Sequence, residues 1–297
     1  MSKLITWRYG LLLITLIAVS ILAGRWVWAQ ESSVVLIAAG DIADCDSTGD
    51  EATAELVDQI PGTIATLGDN VYPVGHAKRF AECYDSSWGQ FKARTRPAVG
   101  NHEYETRAAA GYFQYFGSAA GNPATGYYSY DLGKWHIVVL NSNCDKIAGG
   151  CQAGSPQEQW LRADLSAHPA TCTLAYWHHP RFSSGQHGNA IGMRAIWQAL
   201  YDAGADVVLN GHDHNYERFA QQDANGQPDP ERGIREFVVG TGGKNHYHFN
   251  KIKPNSEVRN DDTFGVLKLT LHPRSYDWQF IPEAGKTFSD TGSGTCH

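Results

Sequence analysis

Beyond Ser33 the chain alternates short unbroken apolar runs with stretches of helical period. Val34–Ala39 and Thr63–Leu67 read as strands covered on both faces, because successive rather than alternate positions are apolar. Pro97–Val99, Thr173–Trp177, Val207–Leu209 and Phe237–Val239 read as further strands. Asp50–Ile60 has the spacing of an amphipathic helix and an acidic start, which suits the positive end of the helix dipole. Pro156–Ala167 is a second helix, with Pro156 in the first turn where a missing N–H costs little. A third spans Ala190–Ala203 and stops at Gly204. Gly126–Asp131 and Trp135–Asn141 predict neighbouring strands joined by a tight turn at Gly133; Gly265–Leu271 and Tyr276–Phe280 predict an antiparallel pair. Residues 221–235 and 244–262 are polar and are expected to be the most mobile loops. Because several strands follow one another without a helix between them, the reading is one α/β domain over residues 30–297 with two sheets.

The first thirty residues follow another pattern. Lys3 and Arg8 precede an apolar run from Leu11 to Ala23, shorter than the roughly 20 residues a membrane span requires. Val27 and Ala29 stand at −3 and −1 before Gln30. This succession predicts a signal peptide over residues 1–29 and a secreted or periplasmic protein. The alternative is an uncleaved membrane anchor at residues 11–23, to whose interface Trp26 and Trp28 would be suited. Export favours disulfides among Cys45, Cys83, Cys144, Cys151, Cys172 and Cys296. Their connectivity is open, although Cys144 and Cys151, flanking a glycine-rich stretch, are the best local pair. No Cys-x-x-Cys spacing supports a zinc cluster instead. With 42% apolar residues the chain can build a core, so disorder is excluded. A net charge of −7 argues against a nucleic-acid-binding surface, which needs clustered cations.

The candidate chemistry lies where strands end. Five apolar runs lead directly into Gly40–Asp41, Gly68–Asp69–Asn70–Val71–Tyr72, Gly100–Asn101–His102–Glu103, His178–His179–Pro180 and Asn210–Gly211–His212–Asp213–His214. Each cluster alone is compatible with an ordinary turn. Five together are not, because ligands of α/β sheets collect beyond the carboxyl ends of strands. In Gly211–His212–Asp213–His214 the two imidazoles, one residue apart, would point the same way from an extended chain. Two carboxylates, three imidazoles, an amide and a phenol exceed the coordination of a single zinc ion. Shared between two cations they can clamp a phosphoryl group. Imidazole with carboxylate suits zinc, iron or manganese better than calcium.

This ordered set resembles the calcineurin-like metallophosphoesterase superfamily from Val34 to about Gly243. Simple members have His two residues after the first Asp, where this chain has Ala43. Gly68–Asp69–Asn70–Val71–Tyr72 is similar to the Gly-Asp-x-x-Tyr motif of the purple acid phosphatase branch, in which Tyr takes the place of that His. The resemblance implies a four-layer α-β-β-α sandwich with two central mixed sheets and a metal site at the C-terminal ends of the strands. It implies that Asp41, Asp69, Tyr72 and His214 bind one metal and that Asp69 bridges to a second, held by Asn101, His178 and His212. His178 rather than His179 fits the family's His-x-Pro pattern. Asn101, His102 and His187 would contact substrate, with His102 or His187 protonating the leaving oxygen. The implied cofactors are two metal ions, Fe with Zn, Mn or a second Fe. The implied activity is hydrolysis of a small phosphorylated substrate by water activated at the metal pair, a phosphomonoesterase resembling acid phosphatases. Phosphodiesterase action on nucleotides or glycerophosphodiesters is the alternative, and an extracellular metal- or phosphate-binding protein the non-enzymatic one.

Overall fold

A computed structural model describes residues 32–297; the signal or anchor segment read over residues 1–29 lies outside them. One sheet has six strands in the order β13-β12-β11-β1-β2-β3. Here β1 (Val34–Ala39), β2 (Thr63–Leu67) and β3 (Thr95–Ala98) run parallel. β11 (Gly265–His272), β12 (Ser275–Pro282) and β13 (Thr291–Thr295) continue the sheet antiparallel. The second sheet has seven strands in the order β10-β8-β9-β7-β6-β5-β4. Its centre is parallel: β5 (Trp135–Val139), β6 (Cys172–Tyr176), β7 (Val207–Asn210) and β9 (Arg235–Val239). Its edges are antiparallel: β4 (Tyr128–Leu132) on one side, β8 (Tyr216–Phe219) and β10 (Ser256–Asn260) on the other. Two mixed sheets with helices are thus the architecture the sequence predicts.

The unbroken apolar runs are explained by what covers them. On β5, Ile137 and Val139 join the main core shared with the first sheet, while Val138 between them and Leu140 just past the strand end face a second core. β6, β7 and β9 divide their side chains in the same alternation. Helices α4 (Pro156–Ala167) and α5 (Arg194–Asp202) cover that second core through Leu161, Ile196, Trp197 and Leu200. Ser155 caps α4 by accepting the N–H of Glu158 at 3.3 Å. Helix α1 (Gly49–Asp58) covers the first sheet through Ala54 and Val57. The short turn α2 (Ala77–Arg79) and helix α3 (Ala110–Phe116) build the segment between β2 and β4.

Some expectations are corrected. Residues 244–262 are not simply a loop, since Ser256–Asn260 pairs with β8 as β10. Residues 221–235 are tied by backbone bonds, Gln222 N–H to Ile234 O at 3.2 Å and the reverse at 3.0 Å. The helix expected from Ala190 begins as a tighter turn over Ile191–Met193. The cysteines pair as Cys45–Cys83, Cys144–Cys151 and Cys172–Cys296, which includes the local pair favoured from sequence. No helix among the described residues is long and apolar enough to cross a membrane.

Candidate metal centre

All five clusters converge at one end of the two sheets. The backbone links them directly: Asp41 N–H donates to Gly68 O at 3.1 Å, and Gly211 N–H to His178 O at 3.0 Å. Asp41, Asp69 and His212 have φ of 60°, 47° and 71°. That left-handed backbone is unusual for residues with a Cβ and accumulates at functional sites. It also corrects the expectation for Gly211–His214, which is a turn rather than extended chain. The two imidazoles consequently serve different groups of donors, and Asp213 between them turns away to accept the His187 N–H at 2.8 Å.

Two groups of donor atoms share one carboxylate. In the first, Tyr72 Oη lies 2.8 Å from Asp41 Oδ1, 3.1 Å from Asp69 Oδ2 and 3.1 Å from His214 Nε2. In the second, His178 Nε2 lies 3.1 Å from the same Asp69 Oδ2, 3.0 Å from Asn101 Oδ1 and 3.2 Å from His212 Nδ1. Donors bound to one cation at about 2.0–2.2 Å stand roughly 3 Å apart, so both groups fit a metal. The imidazoles are also held as ligands must be. His178 Nδ1 bonds Leu67 O at 2.9 Å and His214 Nδ1 bonds Asn245 O at 2.7 Å. A carbonyl only accepts, so each Nδ1 carries the proton and each Nε2 faces the centre. Tyr72 leaves the backbone opposite Ala43, to whose carbonyl its N–H donates at 2.8 Å.

The electrostatics point the same way. Burial works against a charged His178, but the facing Asp69 and Asp41 raise its pKa to about 9. A proton on that ring would compete with a cation for the same lone pair. Burial together with Asp41 and Asp69 pushes the Tyr72 phenol well above its ordinary value. Burial opposes ionisation of Asp69 too, yet His178 and His102 hold its carboxyl well below the usual range. Burial and the neighbouring His178 lower the pKa of His212 strongly.

The chain matches the calcineurin-like phosphoesterase family model over residues 25–216. The chain belongs to that family. The matched stretch contains all seven residues of the two donor groups. Purple acid phosphatase 15 of Arabidopsis thaliana is 30% identical over 245 residues, 69% of this chain and 44% of that protein. Probable inactive purple acid phosphatase 27 of the same plant is 25% identical, over 83% of this chain and 47% of its own length. The chain thus spans about half the length of these relatives. The solved purple acid phosphatase PPD1 from yellow lupin (Lupinus luteus) seeds superposes with a TM-score of 0.71 at 20% identity, covering 90% of this chain and 54% of that one. At that identity it bears on the fold alone.

Around these two donor groups stand Glu103 and Tyr247, to which the sequence reading gave no role. Glu103, fully buried, accepts the N–H groups of Asp69 at 3.1 Å, Asn70 at 2.8 Å and Gly100 at 2.7 Å, and so fixes two of the clusters to each other. Its position inside Gly100–Asn101–His102–Glu103 was the available signal. Tyr247 stacks on His214 with ring centroids 3.9 Å apart, and its N–H donates to His214 O at 3.0 Å. Nothing in the polar pattern of residues 244–262 announces that return. His102 holds Pro73 O through Nδ1 at 2.6 Å and leaves Nε2 3.8 Å from Asp69 Oδ2. The exposed ring of His187 rests on His212 at a centroid distance of 4.3 Å.

Proposed function

We propose that the chain is a secreted, metal-dependent phosphomonoesterase working through two cations. The observation that carries the reading is the single oxygen Asp69 Oδ2, common to both donor groups. Asp41, Tyr72 and His214 would hold one cation with Asp69, and Asn101, His178 and His212 the other. The donors suit iron in the phenol-containing site and iron, zinc or manganese in its neighbour. Three disulfides accord with an oxidising compartment.

Bound there, the pair supplies neutralisation of phosphoryl charge and draws water towards ionisation near neutral pH. The chain's own residues supply position and protons. His102 is oriented by its Nδ1–H bond to Pro73 O; a second proton, on Nε2, makes it a donor for the departing alkoxide. Asp213 fixes the His187 backbone and leaves that ring to a phosphate oxygen, which the Asn101 amide would also contact.

The test is hydrolysis of p-nitrophenyl phosphate and of its bis ester by protein loaded with iron, zinc or manganese. Turnover of the monoester that disappears on chelation is expected. Preference for the diester would reassign the substrate class, and failure with both esters would return the chain to the binding-protein alternative. The relatives named inactive make this measurement decisive. A second expectation concerns Tyr72: a phenolate on ferric iron absorbs visible light, so iron-loaded protein should be coloured and Tyr72→Phe colourless. An unchanged absorption band in Tyr72→Phe would remove Tyr72 from the ligand set.

A further inference from the structure

A second gathering of imidazoles and carboxylates lies far from this centre, at the opening ends of β5 and β6. His136, the second residue of β5, is 2% exposed. Its Nδ1 lies 2.9 Å from Asp131 Oδ1 and its Nε2 2.8 Å from Asp164 Oδ2. Asp164, on α4, also accepts Ser129 Oγ–H at 2.8 Å through Oδ1. His168, just past the helix end and half exposed, places Nδ1 3.4 Å from that Oδ1 and bonds the Asp164 carbonyl at 2.9 Å. One ligand atom from each of His136, Asp164 and His168 lies within 4.8 Å of the others. His136 and His168 stand beside a cavity of about 420 Å³ that Asp131, Lys134 and Arg274 also line. His136 pairs with Thr173, five residues before His178. At about 3.3 Å per strand residue that is roughly 16 Å of β6 between the two places.

We propose that His136 Nε2, Asp164 and His168 Nδ1 form a binding site for one Zn²⁺, with the fourth position open to the cavity. Three arguments converge. First, Asp131 engages the far nitrogen of His136; a carboxylate in that place fixes Nε2 as a ligand in metal sites. Second, one ligand atom from each of the three residues lies within 4.8 Å of the others, so a turn of the half-exposed His168 ring out of its stack on His136 brings the three donors onto one cation. Third, Asp164 in the last turn of α4 and His168 at its C-cap already place Oδ1 and Nδ1 3.4 Å apart. Two imidazoles with a carboxylate select zinc over calcium or magnesium. The cation takes the lone pairs of His136 Nε2 and His168 Nδ1, whose protons pass to solvent, and His168 gives up its bond to the Asp164 carbonyl. Bound zinc would join the end of α4 to the start of β5.

The experiment titrates Zn²⁺ alone into the full chain after chelation and compares His168→Ala, a substitution at an exposed position outside the catalytic machinery. Wild type is expected to bind one equivalent more than the variant, with p-nitrophenyl phosphate turnover the same in both. A crystal of the zinc-loaded protein should show an anomalous peak at the zinc edge between His136, Asp164 and His168. Equal stoichiometry in the two proteins, or a map without that peak, overturns the proposal. Failure of the catalytic reading would instead remove its equivalents from both proteins alike, leaving the difference between them intact.

Discussion

Asp69→Asn is expected to lower phosphoester turnover by about 10³-fold, the upper range for losing a single electrostatic contact at a reacting centre. The substitution is nearly isosteric, and its Oδ1 can still accept the His102 N–H that Asp69 Oδ1 accepts at 2.8 Å. What it removes is the negative oxygen 3.1 Å from both Tyr72 Oη and His178 Nε2. Both of the proposed cations should weaken together, because an amide offers a single neutral oxygen and no shared charge. Melting temperature, metal content per chain and kcat measured on one preparation check this. A folded Asp69→Asn protein that turns over at the wild-type rate would show that the two donor groups are not joined through this residue.

The same residue illustrates how much the sequence discloses. Asp69 was recognisable because a strand run ended at Gly68 and a polar cluster followed, a pattern repeated at Asp41, Asn101, His178 and His212. Strand ends are legible since a doubly covered strand must be apolar throughout, and the polarity changes where cover ends. The two-sheet architecture followed from the same runs. Strands β8, β10 and β13 were not legible: Tyr216–Phe219, Ser256–Asn260 and Thr291–Thr295 are mixed or polar. The last two close their sheets at the edges, where one side stays open to solvent and composition carries little signal.

Within the site, residue types were visible and orientations were not. The pair His212 and His214 was expected to point one way, yet a φ of 71° at His212 separates the rings into two donor groups. Glu103, Asn245 and Tyr247 act through backbone N–H, carbonyl and ring contacts set by tertiary structure. No periodicity encodes such contacts. The segment 244–262 reads as a mobile polar loop for that reason, although its carbonyl at Asn245 fixes the tautomer of His214.

Gly100→Ala is expected to damage catalysis by a steric route, about tenfold less than the loss of the shared carboxylate. The Gly100 backbone is not left-handed, so no conformational preference is at stake and only space decides. A Cβ there would lie 2.1 Å from Asp69 Oδ1 and 2.2 Å from Asp69 N. Neither atom can swing aside: that oxygen accepts the His102 N–H, and the nitrogen donates to buried Glu103. Relief therefore requires moving the strand end that carries Asn101 and His102 away from Asp69. Overpacking of this kind costs about 1–3 kcal/mol of stability. A displacement of about 1 Å at a reacting centre costs about 10²-fold in rate. The variant should thus melt several degrees lower and lose about 10²-fold in kcat, with the cation proposed at Asn101, His178 and His212 weakened before the one proposed at Tyr72. Differential scanning calorimetry, kcat and stepwise metal titration separate these effects. Full activity in Gly100→Ala would mean that the close approach of the two strand ends is not what sets the geometry of the centre.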